Sequence, residues 1–236
     1  MIKYTLKIID IIDEVEGTKT YYFEKPESLK WEEGSHAHIA HVGFDVGIHP
    51  KEDWVRHMSI MTLPEENRLG ITTRINGSGS EFKNKLRGLK IGDEAAFFKF
   101  GSRMGLRRIN KPVILLSMGV GIATMRPLIL SFTNDNSNIP HMINMNIDSS
   151  GNFVYKDELD KLESENYNNN WMKSRKEFYE KLQQLAEAED AIYYIVGSKP
   201  FIEDCIQKLR ENKVENMDII IDKKGEALER LLGIKG

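Results

Sequence analysis

Hydrophobic and polar positions alternate in short segments through the first hundred residues, and this alternation predicts β-strands. The clearest segments are residues 4–8, 20–23, 36–40, 69–75 and 94–98, separated by Gly, Pro and Asp. Several short strands at this spacing favour a small barrel or sandwich. One short helix interrupts them, because Ser80 is a good N-cap and the apolar residues Phe82 and Leu86 lie four positions apart.

The pattern changes after Pro112, where residues 113–116 form a continuous apolar run typical of a strand buried on both faces. A glycine turn and a helix to Phe132 follow. Strand and helix patterns then alternate, which predicts a parallel sheet with helices on its faces. Residues 167–170 are interpreted as a polar loop. Further strands are predicted near 141–147, 191–196 and 217–221, and helices near 155–163, 174–188, 200–212 and 226–232. We expect two domains, 1–108 and 109–236.

Composition narrows the class of protein. A formal charge of -3 over 236 residues predicts no strong affinity for nucleic acid or an anionic membrane. No apolar run reaches the roughly 20 residues of a membrane-spanning helix, and the N-terminus lacks a signal-peptide pattern. We therefore expect a cytoplasmic protein without membrane insertion. The single cysteine, Cys205, excludes an intramolecular disulfide and an iron–sulfur cluster held by four thiolates of this chain.

Three segments carry residues suited to phosphate groups. Gly119 and Gly121 lie between a strand and a helix, where glycine allows close backbone approach to a pyrophosphate and the helix start offers N–H groups. A purely steric turn explains them equally well. Arg56 and Ser59, three residues apart on one predicted strand, can reach different parts of one ligand, with the arginine on a phosphate. The alternative is an edge strand with a surface arginine. The segment 77–80 is a Gly/Ser nest before a helix, or a hairpin loop.

The order of these segments resembles the ferredoxin–NADP reductase superfamily, particularly compact flavin-reductase-like members without an iron–sulfur domain. Arg56-His57-Met58-Ser59 is similar to its Arg-x-Tyr-Ser/Thr flavin motif. Residues 73–83 resemble the family's flavin-phosphate segment. Residues 88–93 resemble the Leu-x-x-Gly-Asp turn that follows it. Residues 118–127 resemble the nicotinamide turn Gly-x-Gly-Ile-x-Pro-x-Arg. Residues 194–202 resemble the late Tyr-x-x-Gly-Pro segment.

This resemblance implies a β + α/β fold: an N-terminal antiparallel flavin-binding β-barrel, then a C-terminal parallel-sheet nucleotide-binding domain. Arg56 would hold a flavin phosphate, and Ser59 would take the catalytic position at the reactive edge of the ring. The other implied contacts are His57, Met58, Thr73, Ser78, Gly79 and Ser80 for the flavin, and Gly119, Gly121, Ile122, Ala123, Thr124, Ser149, Arg175 and Gly197 for NAD(P)H.

The chain departs from the family pattern at three places. Met58 replaces the usual tyrosine, and a thioether cannot donate a hydrogen bond. Ala123-Thr124 replaces Thr/Ser-Pro, and the C-terminal segment lacks an aromatic residue. Nucleotide preference stays open. An acidic residue at Asp148, beside Ser149, favours NADH, whereas Ser174-Arg175 either grips a 2′-phosphate of NADPH or caps a helix.

The predicted function is an FAD-dependent NAD(P)H reductase. FAD is favoured over FMN because the nest forms a pyrophosphate site, and FMN stays open. The acceptor is an electron-transfer protein, free flavin or a ferric chelate. His36 and His38 share one strand face, which keeps open a haem or iron reductase, although no metal site is predicted. A non-enzymatic flavin-binding regulatory subunit is the remaining alternative. Oligomeric state is undetermined.

Overall fold

The computed structural model describes residues 2–77, 79–223 and 225–233. The chain divides into two compact units between Gly105 and Leu106. Within the described ranges, no helix has both the length and the apolar character needed to cross a membrane.

The first unit is one antiparallel sheet of six strands in the order β4-β3-β6-β1-β2-β5. The two edge strands approach each other, because Met61, just after β4, donates its N–H to the Gly70 carbonyl of β5 at 2.9 Å. The sheet is thereby rolled into the expected barrel. Its elements are β1 (Lys3–Val15), β2 (Thr18–Glu24), β3 (Ser35–His41), β4 (Val55–Ser59), β5 (Arg68–Arg74), α1 (Glu81–Gly88) and β6 (Glu94–Ser102).

The barrel core explains why α1 lies where it does. Inward positions of the strands are apolar, and Phe23 packs edge-to-face on Phe97 with ring centroids 4.8 Å apart. Phe82 and Leu86 of α1 are fully buried in the same cluster. The Tyr21 hydroxyl also donates to the Leu86 carbonyl at 3.2 Å. These contacts fix α1 against the barrel.

The second unit is a parallel sheet of five strands in the order β11-β10-β7-β8-β9. Strands β8 and β9 lie on one side of β7, and β10 and β11 lie on the other. In parallel sheets whose strand order reverses in this way, ligands bind at the carboxyl ends of the strands that flank the reversal. The elements are β7 (Val113–Met118), α2 (Ile122–Asn134), β8 (Met142–Ile147), α3 (Lys156–Asp160), β9 (Tyr167–Met172), α4 (Arg175–Ala188), β10 (Ile192–Val196), α5 (Lys199–Glu211), β11 (Ile219–Ile221) and α6 (Gly225–Leu232).

The fold class is therefore confirmed, with one correction. Residues 167–170, expected to form a polar loop, begin the edge strand β9, which pairs with β8 from Met142↔Tyr167 to Ile147↔Met172. Asparagines are unusual in strands. Here Asn169 accepts a hydrogen bond from Asn144 and donates to the Leu159 carbonyl, both at 2.9 Å. These tertiary contacts compensate for the weak strand propensity.

Candidate functional site

In the barrel unit, Arg56 links strand β4 to the start of helix α1. Its Nη2 donates to the Ser80 hydroxyl at 2.7 Å, and its Nη1 donates to the Val55 carbonyl at 2.6 Å. The Ser80 side chain does not cap α1, although Ser80 occupies the N-cap position. The N–H groups of the first helical turn are thus left without a side-chain cap, which suits an anion.

Two more cations, Arg74 and Lys83, lie near Arg56. Partial burial, with the charges of Arg74 and Arg56, lowers the pKa of Lys83 below its usual value. Among the described residues, neither Arg56 nor Lys83 forms an ion pair with a carboxylate. Arg56 and Lys83 contribute positive potential at the start of α1, where the one acidic residue of the first helical turn, Glu81, accepts a hydrogen bond from Trp54 Nε1 at 2.7 Å. A methyl group added to Gly79 would meet no described atom within 4 Å, so the position is open. This donor set fits a phosphate or pyrophosphate.

The other described residues implied for the flavin lie on β4 and β5. Met58 and Ser59 are half-buried at the end of β4, and Met58 packs against the barrel core. His57 is exposed and pairs across the sheet with His38. Thr73 is buried in β5. Ser78 lies outside the described residues, so its predicted phosphate contact stays a prediction.

In the α/β unit, the predicted glycine turn connects β7 to α2. Gly119 has a left-handed backbone (φ 53°), a conformation that favours glycine. Residues Gly119–Gly121 form a 3-10 turn that runs directly into α2, and the Ile122 N–H donates to the Gly119 carbonyl. Ala123 and Thr124 follow in the first turn of α2 and are buried. The helix therefore begins at the carboxyl edge of the sheet.

Two glycines are required here by close packing. A β-carbon on Gly121 would lie 2.7 Å from the Val196 carbonyl oxygen of β10. A β-carbon on Gly197 would lie 2.4 Å from Cδ1 of the buried Phe201 and 3.2 Å from Cβ of Met118. The contacts of 2.7 and 2.4 Å are shorter than real β-carbon contacts allow. The glycine turn therefore lies against the ends of β7 and β10, with no room for a side chain at either glycine.

Residues predicted to distinguish NADH from NADPH lie at the same sheet edge, after β8 and β9. Ser149 is exposed, and the Asp148 carboxylate accepts hydrogen bonds from the N–H and hydroxyl of Ser150 at 3.0 and 2.7 Å. Arg175 is exposed at the start of α4, where the Ser174 hydroxyl accepts from the Glu177 N–H. The N-cap interpretation of Ser174 is confirmed, and Arg175 remains available to a phosphate.

The histidines form a ring cluster on the barrel. His36 and His57 have centroids 4.1 Å apart, and His38 and His57 have centroids 5.5 Å apart. No group of three or more His, Cys, Asp or Glu side chains within the described ranges is arranged to hold a metal ion. His41 is separate from this cluster, because it is buried and its Nε2 lies 2.8 Å from the Phe82 carbonyl oxygen.

Comparison of the sequence with protein-family models and with curated proteins finds no match. Solved structures do match. A flavohemoglobin from Malassezia yamatoensis with bound FAD and heme aligns with TM-score 0.77 at 14% identity, covering 95% of this chain and 61% of that chain. A ferredoxin NADP+ reductase from Neisseria gonorrhoeae with bound FAD and NADP aligns at 0.75 and 13%, covering 93% and 98%. The CS-b5R domains of human Ncb5or, in the NAD+ form, align at 0.75 and 16%, covering 94% and 70%.

The chain has the ferredoxin–NADP reductase fold. At these identities the likeness establishes the fold and leaves the activity to be argued from the residues. The chain spans 61% of the flavohemoglobin, so the whole activity of that protein does not transfer to it.

Three residues were not predicted as contacts from the sequence, although Arg74 and Lys83 lie within the segment 73–83 that resembles the family's flavin-phosphate segment. Arg74 and Lys83 join the cation cluster, and Asn146 contacts the glycine turn. The position of Lys83 two residues into α1 offered a further sequence signal, since basic residues are unusual near a helix N-terminus. The contact of Asn146 arises from strand pairing between β7 and β8 and had no local signal.

Proposed function

We propose that this chain is a flavin-dependent NAD(P)H oxidoreductase that passes electrons from NAD(P)H through bound FAD to an acceptor. The observation that carries the proposal is the cation cluster around Arg56 at the uncapped start of α1. A cluster of this kind is costly without an anion, because like charges repel and Lys83 is partly desolvated. A flavin phosphate would relieve that cost.

The barrel residues that would hold the flavin fall into two groups. Arg56, Lys83, Gly79 and Ser80 would bind its phosphates through charge-assisted and backbone hydrogen bonds. Met58 and Ser59, at the end of β4, would contact the ring. We infer FAD rather than FMN because the cations and the helix N-terminus together offer donors for two phosphates.

The α/β residues would hold NAD(P)H. The turn of Gly119 and Gly121, continuing through Ile122, Ala123 and Thr124, would accept the pyrophosphate at the N-terminus of α2. Ser149 and Arg175 would lie beside the adenosine end, because both follow strands whose carboxyl ends meet at this edge. Gly197 would leave room for the nicotinamide.

The flavin, when bound, supplies the redox chemistry by accepting a hydride from the nicotinamide and releasing electrons to the acceptor. The protein then has to bind both groups, orient them and exclude side reactions. No side chain is required as a general base. The acceptor is proposed by class only: a small redox protein, free flavin, or ferric or haem iron.

Flavin titration tests the proposal. Riboflavin, FMN and FAD are each titrated into the protein while flavin fluorescence is followed. We expect FAD to bind at least about tenfold more tightly than riboflavin, because each charge-assisted hydrogen bond to phosphate contributes about 1.5–3 kcal/mol. FMN should lie between them. Equal affinity for all three flavins would show that the cation cluster does not bind flavin phosphate.

A further inference from the structure

Strand β8 contains two asparagines in its buried interior. Asn144 is fully buried and Asn146 is 1% exposed. Their neighbours Met145 and Ile147 pack in the apolar cluster with α4 and α5, so the asparagines face the opposite side of the sheet. Central strands of parallel sheets are normally apolar throughout, because a buried amide costs free energy unless all its groups are bonded.

The Asn146 carboxamide reaches the glycine turn. Its Nδ2 donates to the Ser117 hydroxyl at 2.8 Å and to the Gly119 carbonyl at 3.2 Å. A carbonyl oxygen accepts only, so Gly119 fixes which end of the amide is the nitrogen. The Asn146 Oδ1 is then turned away, and it is buried without a hydrogen-bond partner among the described residues.

This arrangement does not favour stability. The free energy gained from two hydrogen bonds is comparable with the penalty for one unsatisfied buried acceptor. A leucine at the same place would avoid that penalty. The presence of an amide at position 146 therefore needs another reason, and its contacts supply one.

The reason lies in Gly119. The carbonyl of this left-handed residue accepts from both Asn146 Nδ2 and the Ile122 N–H that opens α2. Asn146 therefore holds the carbonyl around which the turn folds. We propose that Asn146 is a positioning residue for the nicotinamide nucleotide, fixing the Gly119 backbone so that the turn and the start of α2 accept the pyrophosphate. This inference rests on the proposed function.

Asn144 provides a matched control. It lies on the same strand and the same face, two residues earlier, and is equally buried. Its Nδ2 donates to the Asn169 side chain at 2.9 Å, on β9, and not to the glycine turn. A leucine at 144 therefore makes the same chemical change without touching Gly119.

The experiment compares Asn146→Leu, Asn146→Val and Asn144→Leu with the wild type in four measurements. These are the Kd for NAD+ and NADP+ by calorimetry, the FAD Kd, the urea midpoint, and KM against kcat for NADH and NADPH. Both position-146 variants should lose at least about tenfold in nucleotide Kd and KM, as expected when a positioning contact is removed. Their FAD Kd and kcat at saturation should stay within about twofold, and their urea midpoint at or above that of the wild type. Asn144→Leu should keep the wild-type nucleotide Kd.

Wild-type nucleotide affinity in both position-146 variants would overturn the proposal while leaving the proposed function intact. An equal loss in Asn144→Leu would also overturn it, since the effect would then be general to buried amides of β8. Failure of both position-146 variants to fold would assign Asn146 to stability instead. A wild-type protein that binds neither nucleotide would reject the proposed function together with this inference.

Discussion

At the scale of single residues, Arg56 joins two elements that the sequence places 24 positions apart. Its guanidinium bonds to Ser80 and lies 5.7 Å from the centre of the Phe82 ring. One side chain therefore contributes charge to the start of α1 and packs on the residue that anchors the helix. Removing the charge and removing the planar fork should have different effects.

Replacing Arg56 tests this role. Arg56→Met should weaken FAD binding by about 10- to 100-fold, the effect of losing a charge-assisted pair to phosphate. Arg56→Lys should fall between that variant and the wild type, because lysine keeps the charge without paired donors. Fluorescence titration with FAD gives the Kd. Arg68→Met is the control, because Arg68 stacks 3.6 Å from the centre of the Tyr22 ring and not on α1. Equal losses in the Arg56→Met and Arg68→Met variants would contradict the assignment.

His41 predicts a pH dependence of stability. Burial, aided by the charge of Lys85 and opposed by the hydrogen bond to Phe82, lowers the pKa of His41 below its ordinary 6.5. The unfolded state therefore binds more protons than the folded state as pH falls below about 6.5. Folding stability should be full above that pH and should decrease toward the lower folded pKa.

The measurement is urea unfolding at pH 7.5 and at pH 5.0. His41→Gln keeps a donor for the Phe82 carbonyl but does not titrate, so its midpoint should fall less between these pH values than that of the wild type. His49→Gln, at an exposed position, should behave as the wild type. Identical pH dependence in all three proteins would show that His41 does not contribute.

Candidate site residues were recognisable in the sequence wherever a local pattern marked them. Arg56, Ser80 and the glycines stood out because their types and spacing are unusual in plain strands and turns. Lys83 and Arg74 did not, since their importance comes from lying near Arg56 in space. Met58, which stands where the family usually has tyrosine, packs against the barrel core.

At the scale of elements, Gly121 brings the glycine turn against the carboxyl end of β10. Gly121→Ala should displace the turn, because the new methyl group would meet a backbone carbonyl that cannot rotate away. We expect a loss of about 1–3 kcal/mol in stability from overpacking and weaker nucleotide binding. Gly88→Ala in α1 meets no described atom within 4 Å and serves as the control.

Denaturant unfolding and nucleotide calorimetry check this prediction together. Gly121→Ala should lower the urea midpoint and raise the nucleotide Kd, while Gly88→Ala should match the wild type or exceed its midpoint. Unchanged nucleotide affinity in Gly121→Ala would mean that the turn does not form the binding surface.

Elements with strong periodicity were predictable from the sequence, and elements that depend on pairing were not. The apolar run of β7 and the helix patterns of α4 and α5 were clear, because the spacing of apolar residues within each segment already indicates which side chains are buried. Strand β9 was misinterpreted because Tyr167 and its asparagines match a loop composition. Its hydrogen bonds to β8 exist only in the folded sheet.

At the scale of the whole molecule, the chain contains an antiparallel barrel with cations at a helix start, followed by a parallel sheet with a glycine turn at its carboxyl edge. The order of the two units and the segments that carry these features were predictable, because five loose motifs follow one another along the chain. The acceptor was not predictable, because it depends on surface residues that make no pattern in the sequence.

The most direct test of the account is anaerobic reduction of the FAD-loaded protein. NADH and NADPH are added separately, and the visible absorbance band of the oxidised flavin is followed. We expect at least one nucleotide to bleach the band fully at about one equivalent, and air or an added electron acceptor to restore it. FAD binding without bleaching by either nucleotide would contradict the oxidoreductase function and leave a flavin-binding role without catalysis.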